Sequence, residues 1–126
     1  MTNHHISVVS VPVTDVDRSK AFYMDVLGFE LVMDNTMADG TLRWVMLRPS
    51  AGGTAITLVT WFERMPAGSL QGTVLAVPDL NAAITALTAH QVEFTPPESS
   101  PWGRWVTIHD LDGNSWVIQQ NAPAPA

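Results

Sequence analysis

The sequence predicts an α+β fold: two tandem βαβββ modules forming a curved mixed sheet, with a concave cup on one face and helices on the outer face. Three observations carry this. Short β-branched runs recur along the chain, bounded by Gly, Pro, Asn or Asp. Two segments of helical period interrupt them, one in each half. And the halves align: "VTDVDRSKAFYMDVLGFEL" lies over "VPDLNAAITALTAHQVEF", with Asp15 on Asp79, Gly28 on Gln91 and Glu30 on Glu93. A half of about 60 residues buries its sheet poorly alone, so the two are expected to share a core.

The elements follow in order. "ISVVSVPV" (Ile6–Val13) is the first strand. Asp15 caps the next helix through its carboxylate, Phe22 and Val26 share one face of it, and Gly28 ends it with a positive φ. "FELVMDN" and "RWVMLRP" are strands joined by a turn at Asp39-Gly40, and "AGG" (Ala51–Gly53) turns the chain into the strand "TAITLVTWF". "ERMPAGSLQG" (Glu63–Gly72) breaks all periodicity and marks the internal boundary. The pattern then restarts. After the strand "TVLAV", Asp79 is a second cap, and Leu80, Ala83, Ile84 and Leu87 recur at helical spacing. Gln91 stands where the first module has Gly28; a non-Gly residue at positive φ costs about 1 kcal/mol. "VEFTPPE" is a short strand stopped by Pro96-Pro97, and "RWVTIHD" with "SWVIQQ" forms a closing hairpin whose turn Asp110 and Asp112 build. The expected organisation is one domain over residues 1–121: module one about 5–62, linker about 63–72, module two about 73–120. Residues 122–126 form a disordered tail.

Composition narrows the function. Apolar residues make up 46% of the 126, enough for a packed core. Charged residues are only 14%, so some surface is expected to be covered, by a ligand or by a second copy in a homodimer. The six Lys and Arg are scattered and the net charge is −6, which argues against a nucleic-acid groove or an anionic membrane surface as partner. The absence of cysteine excludes disulfides, thiolate nucleophiles and thiolate–zinc sites. With no signal-peptide pattern and no apolar run near ~20 residues, a cytoplasmic location is expected.

The double βαβββ pattern resembles the vicinal oxygen chelate superfamily of glyoxalases, extradiol dioxygenases and bleomycin-resistance-type proteins. The matching stretches are "VTDVDRSKAFYMDVLGFEL", "VLAVPDLNAAITALTAHQVEF" and "PWGRWVTIHDLDGNSWVIQ", so the likeness runs from Ile6 to Gln120. In the metal-dependent members, His, Glu or Gln at four inward strand positions chelate a divalent ion. Measured from local anchors, those positions here are Val8, Thr57, Thr73 and Val117. Two isopropyl groups and two hydroxyls make no divalent site, and a one-residue slip gives Val9, Ile56, Val74 and Ile118. No metal or other cofactor is therefore assigned. His4, His5, His90 and His109 show neither HxH nor HxxxH spacing, no Ser–His–acid set is identifiable, and no catalytic residue is assigned.

Strand parity places Ser10, Val59, Trp61, Leu75, Val77, Ser115 and Gln119 in the cup with those four positions, and Val9, Val11, Val13, Ile56, Leu58, Trp116 and Ile118 beneath the helices. Trp44, Trp61, Phe62, Trp102 and Trp105 fall near strand ends, where a cup has its rim. Arg104 and His109 are further candidate ligand contacts. An apolar cup with an aromatic rim suits capture of a bulky, flat, hydrophobic molecule. Within the family this resembles the metal-free branch that sequesters bleomycin-, mitomycin- or enediyne-type antibiotics for self-resistance. The alternative is a glyoxalase-like lyase or isomerase on the same fold, acting on a natural product or small metabolite.

Overall fold

The computed structural model describes residues 1–37, 39–40 and 42–123. Its elements are β1 (Val8–Pro12), α1 (Val16–Asp25), β2 (Glu30–Thr36), β3 (Arg43–Arg48), β4 (Ala55–Val59), β5 (Thr73–Ala76), α2 (Leu80–Ala89), β6 (Glu98–Ser100), β7 (Gly103–His109) and β8 (Ser115–Asn121). Strand–helix–strand–strand–strand thus occurs twice. Hydrogen bonding arranges the strands as two four-stranded sheets of like order, β1-β4-β3-β2 and β5-β8-β7-β6. Both are mixed: β1 runs parallel to β4 and β5 to β8, and the other pairs are antiparallel. None of the helices among the described residues is long and apolar enough to cross a membrane.

Both caps form. The Asp15 carboxylate accepts from the Arg18 N–H at 3.1 Å, and the Asp79 carboxylate from the Ala82 N–H at 3.2 Å. Gly28 has φ +70° and Gln91 φ +59°, so the second module builds the same left-handed corner without glycine. There the Val92 N–H reaches back to the Leu87 carbonyl at 2.9 Å, closing the helix end.

One element departs from the sequence reading. The strand expected over Val92–Glu98 begins only at Glu98, beyond the prolines. Pro96 and Pro97 have no N–H for a ladder, so regular pairing starts at the first residue past them. The tail also differs at its start, where the Ala122 N–H donates to the Trp102 carbonyl at 2.8 Å. The rest of that expectation, over 124–126, lies outside the described residues.

The helix-facing sides of both sheets share one core. Sheet one contributes Val11, Val45, Leu47, Ile56 and Leu58; sheet two contributes Val106, Ile108, Trp116 and Ile118. Phe22 and Tyr23 of α1 and Leu80 and Leu87 of α2 complete it. Arg43 ties α1 to sheet one, donating to Asp34 through Nε and Nη2 and to Asp17 through Nη1. Lys20 adds a 2.8 Å bond to Asp34. The Arg43 and Lys20 hydrogen bonds hold the Asp34 carboxyl well below the usual carboxylate range.

Tyr23 joins the modules. Its hydroxyl donates to Asp110 at 2.6 Å and accepts from the Trp116 indole N–H at 2.9 Å. Burial, then the neighbouring Asp110 charge, push its phenol far above the ordinary value. The unfolded phenol ionises near pH 10 while the folded one stays protonated, so this stabilisation is intact below about pH 10 and lost progressively above it.

Two predictions follow from these features. Gln91→Gly is expected to raise the unfolding free energy by about 0.5–1 kcal/mol in urea titration, because glycine carries no Cβ penalty at positive φ. Tyr23→Phe is expected to cost about 1–3 kcal/mol at neutral pH by leaving the Trp116 donor unpaired. Tyr23 is the one tyrosine, so tyrosinate absorbance in the wild type should appear only on unfolding. The variant should lose less stability than the wild type as pH rises beyond about 10.

Candidate ligand-binding site

The core defines two faces for each sheet, and the candidate residues sort by which face they occupy. On β4, Ile56 and Leu58 point into the core, so Thr57 lies on the opposite, open face. Its register partners are Ser10 on β1 and Met46 on β3, and Met46 in turn pairs with Met33 on β2. Val8 and Trp44 share that parity.

An aromatic run crosses this open face. The Trp44 ring stacks on Trp61 with centroids 6.4 Å apart and planes 30° apart. Trp61 meets Phe62 at 5.8 Å and 49°. Trp61 lies just past β4, where the strand leaves its ladder, so its ring is free to fold back onto β3. Beside the run is a cavity of about 460 Å³ lined by Ser10, Phe62, Glu63, Arg64 and Met65. Phe62 is 46% exposed and Met33 39%. These rings and thioethers form an adaptable apolar surface. Thr57 Oγ1 is buried and has no hydrogen-bond partner among the described residues.

On sheet two, Val106, Ile108, Trp116 and Ile118 take the core side. The open face therefore carries Trp105, Thr107 and Val117, with Trp105 opposite Gln119 and Thr107 opposite Val117. The parallel register with β5 then corrects one assignment. Thr73 pairs with Trp116 and Leu75 with Ile118, so Thr73 and Leu75 face the core side. Val74, paired with Val117, is the residue on the open face. Leu75 and Val77, expected in the cup, pack against the core instead. The cause is the period of two: counting six residues back from Asp79 rather than five lands on the other face. Three valines and Thr57 thus hold the four positions, a set still poorer in metal donors.

The remaining candidates scatter. Arg104 pairs with Gln120, whose side chain accepts from the Leu80 N–H at the start of α2, so Arg104 lies on the helix side, not over the open face. Trp102 projects from the β6–β7 turn at 66% exposure. His109 ends β7, bordering a groove of about 560 Å³ beside Arg18, Asp25, His90 and Glu93. Among the described residues, no group of three or more His, Cys, Asp or Glu side chains converges as a metal site. Met46 and Met33 were missed by the sequence reading. The signal was present for Met46, which stands two residues from Trp44 on one strand.

Comparison with known proteins places this geometry. A family model described as the Glyoxalase/Bleomycin resistance protein/Dioxygenase superfamily matches residues 4–118. The structure of TnmS3, an antibiotic-binding protein from Streptomyces sp. CB03234, is 36% identical, with 97% of this chain and 99% of that chain covered and a TM-score of 0.90. A glyoxalase/bleomycin resistance protein from the same strain is 37% identical over 90% of this chain and 98% of its own, with a TM-score of 0.82. YetH, an uncharacterized protein of Bacillus subtilis (strain 168), is 28% identical over 119 residues, 91% of this chain and 97% of its own.

The donor set makes a direct prediction. Equilibrium dialysis against zinc or nickel, followed by elemental analysis, should leave well under one equivalent bound. A stoichiometric ion would show that other side chains supply the ligands.

Proposed function

The chain belongs to the Glyoxalase/Bleomycin resistance protein/Dioxygenase superfamily, and from that premise we propose that it captures a bulky, flat, hydrophobic small molecule without a metal ion. The observation that carries this reading is the Trp44–Trp61–Phe62 run on the open face of sheet one. Three rings in sequence present a stacking surface, and rings lose little conformational entropy on binding. The adjoining cavity of about 460 Å³ is large enough to take part of a polycyclic ligand.

Val8, Thr57, Val74 and Val117 supply no Lewis acid ligand, general base or nucleophile of ordinary strength. On each sheet they leave a surface suited to holding a molecule rather than reacting with it. The likeness to TnmS3, an antibiotic-binding protein, supports an antibiotic as the captured molecule; sequestration for self-resistance is the biological role we propose. An aromatic natural product of bleomycin, mitomycin or enediyne type is the class to test first.

The test uses the five tryptophans. Metal-stripped protein titrated with a panel of such compounds should show saturable quenching of tryptophan fluorescence, and the recovered ligand should have an unchanged mass. Trp61→Ala should weaken binding by about tenfold or more, as expected for losing a central aromatic anchor. A changed ligand mass would establish an enzyme of the same fold and overturn the capture reading.

A further inference from the structure

Buried polar side chains in this protein are otherwise well satisfied. Asp110 accepts four hydrogen bonds, and Asn114 both donates and accepts several. Among the described residues, Thr57 Oγ1 is the one buried side-chain polar atom without a partner in the protein. Thr57 is only 1% exposed. A hydroxyl in that state destabilises a fold, and valine has nearly the same shape without the cost. Neighbouring Val59 shows that the same strand and face accept valine.

The location suggests what the hydroxyl is kept for. Thr57 sits mid-sheet, flanked on its open face by Ser10 and Met46. Ser10 also lines the cavity that Phe62 and Met65 enclose. Trp44, two residues from Met46 on β3, carries the aromatic run along the same face. A planar molecule stacked on that run brings its edge over the Ser10–Thr57 row. Met46, its register partner on β3, is unbranched and flexible, a neighbour able to move as a ligand enters. Methionine and valine neighbours offer no countercharge, so the group that enters there is neutral.

We propose that Thr57 is a specificity-determining residue of this site, whose hydroxyl pairs with a neutral carbonyl or phenolic oxygen on the edge of the captured ring system. The proposal rests on the capture reading above. A threonine hydroxyl both donates and accepts, so it serves a ketone and a phenol alike. A polycyclic hydrocarbon of the same shape leaves it as unpaired as before, while a ketone or phenol gains a hydrogen bond, and that gain is the source of discrimination.

The test uses two planar probes of matched shape, 9-fluorenone-2-carboxylate and fluorene-2-carboxylate, which differ in one edge oxygen. Each is titrated against wild type, Thr57→Val and Thr57→Ser by tryptophan quenching. The wild type should prefer the ketone by about tenfold. Thr57→Val should bring that ratio close to one by weakening the ketone, and Thr57→Ser should restore the preference. Thr57→Val should also melt at least as high as wild type, so a lost ratio cannot be a lost fold. A ketone preference that survives in Thr57→Val, or none in a wild type that binds both probes, overturns the role of Thr57 alone. Failure of both probes to bind the wild type overturns the capture reading and the Thr57 proposal with it.

Discussion

The structure depends on one buried carboxylate. Asp110 accepts from the Tyr23 hydroxyl at 2.6 Å, the Asn114 amide side chain at 2.8 Å, and the backbone N–H groups of Asn114 and Asp112 at 2.9 and 3.0 Å. No cation faces it in these contacts; neutral donors alone satisfy it. A charge taken out of water in this way is tolerable only while every donor stays in place. The donors come from α1 and from the β7–β8 turn, so the requirement to satisfy Asp110 fixes one module against the other. Asn114 extends the network, donating to the Pro12 carbonyl and accepting from the Leu70 N–H in the linker. Asp112 adds bonds from the Thr14 N–H and hydroxyl. The end of β1, helix α1, the linker and the last turn therefore meet at one point.

Close approach at that point limits the linker. Gly68 has φ +85°, and a Cβ there would lie 2.2 Å from the Asp112 carbonyl oxygen. Backbone occupies the space a side chain would need, so glycine is required both for conformation and for room. The segment between the modules is pinned to the turn it passes, and Phe62 through Met65 follow directly from β4 into the cavity wall.

The shared core also explains where binding surface remains. Each sheet spends one face on helices and the joint cluster, and its other face is left to whatever lies beyond. On sheet one that face carries Trp44, Met46, Met33 and the orphaned Thr57 hydroxyl; on sheet two it carries Trp105, Val74 and Val117. Apolar side chains with few polar groups among them are the surface on which the proposed capture rests. Val8, Thr57, Val74 and Val117 give those faces packing groups and one hydroxyl.

The sequence by itself determined the modules, both helix caps and the core role of Trp116. Each is encoded locally, in a spacing of two or 3.6 residues, a capping carboxylate or an internal repeat. It also marked Trp44, Trp61 and Phe62 as rim candidates, together with Trp102 and Trp105. Tertiary structure alone decided that Thr73 turns into the core while Val74 faces out, because a strand's face is set by the register of its partner, and one residue of error inverts it. It decided that Arg104 lies on the helix side of its sheet and that β6 waits until Glu98. It also turned Asp110 and Asp112 from turn residues into the joint between modules. Their partners Tyr23 and Thr14 lie 87 and 98 residues away along the chain, and no local pattern records a contact made across that distance.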